Sequence, residues 1–301
     1  MEFLFDSYEK YTADLLTKEK INHIAMKLNE LHKISADFRN TEKMPVLFLG
    51  HGSPMNAIKE NEFVAGFRKI GTEIIKPNAI LCISAHWETR GTFVTAMQNP
   101  KTIHDFGGFA KELYDVQYPA PGSPELARQT KAIIKKTEVG LDDSWGLDHG
   151  AWSVLKHLYP NADVPIIQLS IDRYQNSAYH YELAKELKTL REKGVLIIGS
   201  GNMVHNLRMV DWNRLNEPFG YDWALESNEK MKQGILNEDH QSLIDYNKHG
   251  REFQLSIPTP EHFLPLLYAL ALKDKNETTT IFNDTIVGGS LSMTSVKIDK
   301  K

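Results

Sequence analysis

Residues 45–56 read PVLFLGHGSPMN, an apolar run that breaks into a glycine-flanked histidine and then a Ser-Pro turn. A short continuous apolar stretch bounded by turn residues fits a buried strand, so His51 falls at a strand's carboxyl end. The arrangement recurs twice. In NAILCISAHWE, His86 follows the run from Ile80 to Ile83, and in GVLIIGSGNMVHN, His205 follows the run from Val195 to Ile198. A fourth histidine, His262, stands in PTPEH, where Thr259 reads as an N-cap and Pro260 as the first helical residue.

Outward from these stretches, short apolar runs alternate with amphipathic ones, the mark of strands and crossover helices in an α/β sheet. Strands are expected at 45–49, 79–84, 93–97, 165–170, 195–199, 279–282 and 291–298. Helices are expected at 62–75, 123–136, 151–158, 178–193, 222–236 and 260–273. Ser123 before Pro124 reads as a helix start, and Gly194 as the close of the helix before it. The fold expected is one α/β domain over residues 44–301, with a central, mostly parallel sheet flanked by helices. Residues 1–43 form a charged N-terminal extension in which Ile21, Ile24, Leu28 and Leu31 lay one apolar stripe along a helix. That stripe either docks on the domain or contacts a second subunit.

The 301 residues, 41% hydrophobic, are enough for a sizeable core. A net charge of -4 offers no basic face for a phosphate backbone, so nucleic acid is not an expected partner. No apolar segment approaches the roughly 20 residues of a membrane helix, and the start lacks a basic secretory n-region. The single cysteine, Cys82, sits in an apolar strand and excludes an internal disulfide. A cytoplasmic protein is expected.

In an open α/β sheet, ligands bind beyond the carboxyl ends of the strands. If the strands ending near His51, His86 and His205 are parallel neighbours, their imidazoles meet there, and with His262 they make a nitrogen-rich metal site. Glu261 is read as an acid answering the helix dipole rather than as the carboxylate of a two-histidine-one-carboxylate triad. IHDFGGF sets His104 and Asp105 beside two glycines that permit close approach of a ligand, or is a plain turn. In WGLDHGAW, Asp148 or His149 caps the next helix, or His149 faces a substrate among aromatic residues.

The ordered set GHGSPMN, SAHWETRGTFVTAM, NPKTIHDFGGF, YPAPGSPELA, WGLDHGAWSVL, QLSID, GSGNMVHNLR, PTPEHFLPLLYAL and GGSLSM resembles the DOPA 4,5-extradiol dioxygenase family. This is a branch of the class III extradiol ring-cleaving dioxygenases, related to the protocatechuate 4,5-dioxygenase catalytic subunit. The resemblance runs from about Met44 to Val296 and does not reach residues 1–43. It implies one divalent metal ion per chain, zinc or iron(II), with iron(II) expected for ring cleavage. His51, His86 and His262 would be ligands, and His205 either a further ligand or the catalytic acid/base. His149 would be catalytic beside the substrate, with His104 and Asp105 as substrate contacts. The implied partners are a small aromatic diol and dioxygen, and the implied product is a ring-opened semialdehyde. A zinc hydrolase and a non-catalytic metal-binding protein are the alternatives on the same fold.

Overall fold

The computed structural model describes residues 42–215 and 217–301. The helical extension expected over 1–43 lies outside the described residues except for Glu42 and Lys43.

In chain order the strands are β1 (Val46–Gly50), β2 (Ala79–Ser84), β3 (Glu88–Thr89), β4 (Thr92–Thr95), β5 (Val139–Asp142), β6 (Ile166–Gln168), β7 (Ile171–Asp172), β8 (Val195–Gly201), β9 (Glu277–Phe282), β10 (Ile286–Val287), β11 (Leu291–Ser292) and β12 (Ser295–Lys300). Six of them build the central sheet in the order β6-β2-β8-β1-β12-β9. The β6, β2, β8 and β1 pairings are parallel, whereas β12 joins β1, and β9 joins β12, antiparallel. The central, mostly parallel sheet flanked by helices is therefore as expected.

The helices of eight residues or more are α1 (Glu62–Glu73), α2 (Pro124–Ile133), α3 (His149–Leu158), α4 (Ser177–Lys185), α5 (Asp222–Leu236) and α6 (Leu264–Ala271). Strand side chains alternate between the faces. Leu47, Leu49, Ile80, Cys82, Leu196 and Ile198 turn one way and share a core with Phe63 and Phe67 of α1 and Trp152 and Leu155 of α3. The intervening residues turn towards α6, which packs on β8, β1 and β2. Both faces are covered, so the central strands read as continuous apolar runs. Val46, Leu47, Phe48 and Leu49 are all fully buried, each contributing about 1.5–3 kcal/mol by burial.

Local chemistry sets the element ends. Ser123 caps α2 through the Leu126 N–H, with Pro124 in the first turn. Gly194 has a φ of 76°, open to glycine without strain, and turns the chain into β8. Some expected boundaries differ, and one strand was not expected. The segment 260–273 is helical only from Leu264, because Pro265 lacks an N–H and is tolerated in a first turn but not inside a helix begun at Pro260. The helix expected at 178–193 is two, α4 and a short turn Lys188–Glu192, joined through i to i+3 bonds. The strand expected at 291–298 breaks after Ser292, whose hydroxyl accepts the Thr294 N–H in a tight turn. Finally, β5, parallel to β4, was not expected, since VGLD carries too little apolar signal.

Candidate metal centre and active-site cavity

Strands β1, β8 and β2 end side by side, and the chain after each delivers a histidine to the same place. The ladder runs one residue beyond β1, with the His51 N–H donating to the Gly201 carbonyl at 3.1 Å. Next to it the Ala85 N–H reaches the Ser200 carbonyl, which presents His86. The His205 N–H donates to Ser256, and the Asn202 N–H donates to the His262 carbonyl, so the turn before α6 is laced to the end of β8. Gly201 is needed there, because a Cβ would run into the His262 carbonyl. His149 opens α3 behind its N-cap Asp148. All five histidines line one cavity of about 430 Å³, walled further by Asp105, Phe106, Phe109, Leu207, Trp212 and Leu215.

Three of the rings have their Nδ1 atoms occupied. The Ser200 hydroxyl donates to the Gly150 carbonyl at 2.5 Å and can therefore only accept from His51 Nδ1, 3.0 Å away. His86 Nδ1 lies 3.3 Å from Asp105 Oδ2, and His262 Nδ1 lies 3.1 Å from Glu261 Oε1, whose carboxylate also accepts the Thr259 hydroxyl. An acceptor on Nδ1 fixes the tautomer and leaves Nε2 as a bare lone pair. His51 Nε2 and His86 Nε2 face each other at 3.3 Å. With both protons on the far sides, a cation is what such a pair accommodates.

The ring centroids of His51, His86 and His262 form a nearly equilateral triangle with sides of 5.1, 5.4 and 5.0 Å. Imidazole nitrogens bound tetrahedrally at about 2.0–2.1 Å stand roughly 3.3 Å apart, and their ring centres roughly 5 Å apart. The ring-centre spacing of these three is thus that of imidazoles around one divalent ion. His149 is placed differently, 3.8 Å from the His86 ring and 5.9 Å from His51. His205 lies flat on His262, with centroids 3.4 Å apart and planes within 7°. By donor proximity alone, His51, His86 and His149 make one group able to hold an ion, and His205, Glu261 and His262 a second.

Burial first, then the neighbouring imidazoles, hold His51 and His262 well below the usual histidine range. The same causes bring His205 down to about 3. Burial also lowers His149, against the opposing pull of Asp105. Burial by itself would raise the Asp105 pKa, but its contacts with His149 and His86 outweigh that and keep it well below the usual carboxylate range. At neutral pH His51, His149, His205 and His262 are therefore neutral beside an ionised Asp105, and neutral imidazole is the form that binds metal.

Of the residues expected at the site, His51, His86, His149, His205, His262 and Asp105 meet in the cavity. Asp105 joins two histidines, with Oδ1 3.0 Å from His149 Nδ1 and also accepting the His149 backbone N–H. The His149 Nδ1 contact is off the hydrogen-bond direction, so this buried nitrogen has no aligned partner. His104 does not reach the cavity wall; its Nε2 donates to the Val116 carbonyl, and its ring packs on Phe106, Tyr114 and Trp152. Glu261 stands in the turn ahead of α6, not in its first helical turn, and is bound to His262. Sequence reasoning missed Ser200, whose signal was its place in β8 two residues after Ile198 on the α3-facing side. It also missed Trp212, which nothing in the local pattern marks.

Residues 44–290 match the family described as the catalytic LigB subunit of aromatic ring-opening dioxygenase. The chain is 48% identical over 263 residues to the 4,5-DOPA dioxygenase extradiol of Escherichia coli (strain K12), covering 86% of this chain and 96% of the relative. It is 36% identical to the protein of the same description from Beta vulgaris, covering 83% and 94% of the two chains. The crystal structure of an uncharacterized Escherichia coli K12 protein superposes with a TM-score of 0.74 at 44% identity, covering 84% of this chain and 99% of that one. Among the described residues no helix is long and apolar enough to cross a membrane. The chain belongs to the family of catalytic LigB subunits of aromatic ring-opening dioxygenases, and is an oxidoreductase of that class.

Proposed function

We propose that residues 44–301 form a metal-dependent extradiol dioxygenase unit that opens a catechol-type, DOPA-like aromatic ring to a semialdehyde. The observation that carries this is the set of three imidazoles, His51, His86 and His262, each with an acceptor beside Nδ1 and its ring lining an apolar-walled cavity. These three would hold the ion. A divalent ion there, iron(II) for this reaction, favours ionisation of the diol and couples oxidation of the ring to reduction of dioxygen.

His205 is the acid/base in this reading. Its ring has no hydrogen-bond partner among the described residues, and burial keeps it unprotonated at neutral pH. It takes the proton of a diol hydroxyl and returns it as the ring opens. His149, whose backbone N–H is held by Asp105, hydrogen-bonds the reacting oxygens. Phe106, Phe109, Leu207 and Leu215 exclude water from the opened ring. Both atoms of dioxygen end in the product, so no external reductant is consumed. The single buried cysteine, Cys82, suits a reducing cytoplasm.

The test is anaerobic reconstitution with iron(II) or zinc(II), followed by oxygen uptake and visible absorbance with a panel of catechols. Oxygen consumption with a yellow product in the iron form alone is the expected result. Hydrolytic activity in the zinc form without oxygen uptake would replace this reading with a zinc hydrolase.

A further inference from the structure

The chain that leaves His51 is gripped from behind. Gly52 has a φ of 62°, and after it Ser53 caps a single 3-10 turn, Pro54–Ala57. Gly52, Ser53 and Pro54 line the main cavity, whereas Asn56, only 8% exposed, does not. The sense of each Asn56 hydrogen bond follows from a backbone donor nearby. Asn61 Oδ1 accepts the Val64 N–H at 2.9 Å as the N-cap of α1, so Asn61 Nδ2 is the atom that donates to Asn56 Oδ1 at 2.8 Å. With its Oδ1 accepting, Asn56 turns Nδ2 to the His51 carbonyl and donates at 3.0 Å.

The Asn56 carbonyl meets His157 Nε2 at 2.8 Å, and since a carbonyl can only accept, this nitrogen carries the proton. Next to it, Lys156 Nζ donates to the Ala57 carbonyl at 3.0 Å. Lys156 and His157 stand in the last turn of α3, the helix that His149 opens. Asn56 thus ties the end of β1 to the start of α1 and the end of α3. His51 itself is held at three points. Its N–H and its ring are bound to Gly201 and Ser200, both in β8, and its carbonyl to Asn56. With a glycine on either side, the His51 backbone has little steric restraint of its own. The Asn56 amide is what stops the peptide plane after His51 from rotating.

We propose that Asn56 is a positioning residue for the His51 ring, and that His157 holds Asn56 in place. The assignment rests on the metal-dependent ring-cleaving reading given above. It goes beyond that reading by extending the support of the site through α3 to a histidine outside the cavity.

The experiment measures zinc(II) affinity by chelator competition and the visible absorption of the cobalt(II) form, which reports ligand geometry independently of turnover. Wild type is compared with Asn56→Asp, which keeps the shape and loses the donor. His157→Leu removes the second bond, whereas His157→Gln still offers an N–H to the Asn56 carbonyl. The expected result is zinc(II) binding about tenfold weaker in Asn56→Asp, with an altered cobalt(II) band. His157→Leu shows a smaller loss in the same direction, and His157→Gln recovers it. Ser123→Ala, which weakens only the cap of α2, binds zinc(II) as wild type does, separating positioning from a general loss of stability. Wild-type affinity and an unchanged cobalt(II) band in Asn56→Asp would overturn the assignment. If that variant does not fold, wild-type affinity in His157→Leu would overturn it instead. Absence of ring opening by the iron(II) form of wild type with every catechol, alongside Asn56-dependent zinc(II) affinity, would count against the ring-cleaving reading and leave the positioning role standing.

Discussion

At the scale of single residues, the site depends on where protons sit. Ser200 accepts from His51 because its own hydrogen is committed to the Gly150 carbonyl. Ser200→Ala removes that acceptor and frees the His51 ring to change tautomer. We expect metal affinity, measured by chelator competition, to fall about 10–100-fold, the usual consequence of losing such a support. His205→Gln should lower turnover by about 10²–10⁴ while metal content holds; a parallel loss of metal would make His205 primarily a ligand. A third histidine reports on stability. His180 is fully buried, with Nε2 donating to the Asp172 carbonyl at 3.2 Å and Nδ1 therefore accepting from the Tyr268 hydroxyl at 2.9 Å. Burial, only partly offset by the Asp172 carbonyl, brings its pKa down to about 4. The unfolded chain binds this proton near pH 6.5, whereas the folded protein does not until about pH 4. Its contribution is thus complete above pH 6.5 and is lost as the pH falls between those values, by about 3 kcal/mol. Urea unfolding of His180→Gln across this range should show a shallower acid slope than wild type; parallel slopes would contradict the assignment.

At the scale of elements, helix α3 carries much of the site's support at one residue. Asp148 caps it through the Ala151 N–H at 3.0 Å and also accepts from Ser84 at 2.6 Å and from the Gln168 side-chain amide at 2.7 Å. Asp148→Ala loses the cap and strands two buried polar groups, costing about 3 kcal/mol, or roughly 6–12 °C in Tm. Ser123→Ala, which removes a cap nearer the surface, should cost about 1 kcal/mol. Calorimetry of the two variants separates the cases. Helix starts and strand ends were legible in the sequence because they depend on adjacent residues: Ser123 with Pro124, Gly194, and the apolar runs before His51, His86 and His205. The carboxyl-edge rule then sufficed to bring those histidines together. What could not be read needed contacts between distant segments. No local feature says that Ser200 faces Gly150, that Asp105 bridges His86 and His149, or that His104 turns to Val116. The start of α6 is the instructive case, since Pro265 was visible and outranks Thr259 and Pro260 as a boundary signal.

At the scale of the whole molecule, the site at the strands' carboxyl ends has a counterpart at the other end of the sheet. Arg191 is fully buried there, donating to the carbonyls of Met44 at 2.8 Å and Leu272 at 2.7 Å and pairing with Glu277. It ties the entry to β1, the exit of α6 and the start of β9. Arg191→Leu leaves the Glu277 carboxylate buried, with Lys43 as its remaining cation, and should cost about 3–5 kcal/mol. Adding Glu277→Leu should recover much of this, and neither change should alter metal affinity; denaturant unfolding and chelator competition check both. The sheet order has one more consequence. Strand β1 is the first of the described strands in chain order, yet lies between β8 and β12, both far later in the sequence. During synthesis this apolar strand leaves the ribosome with both hydrogen-bonding edges bare, one to be covered by β8 and the other only once β12 has followed it. Such an edge is a template for pairing with other nascent chains. The neighbours that bring the cavity's histidines together thus also leave an apolar edge bare during synthesis until β12 has been made.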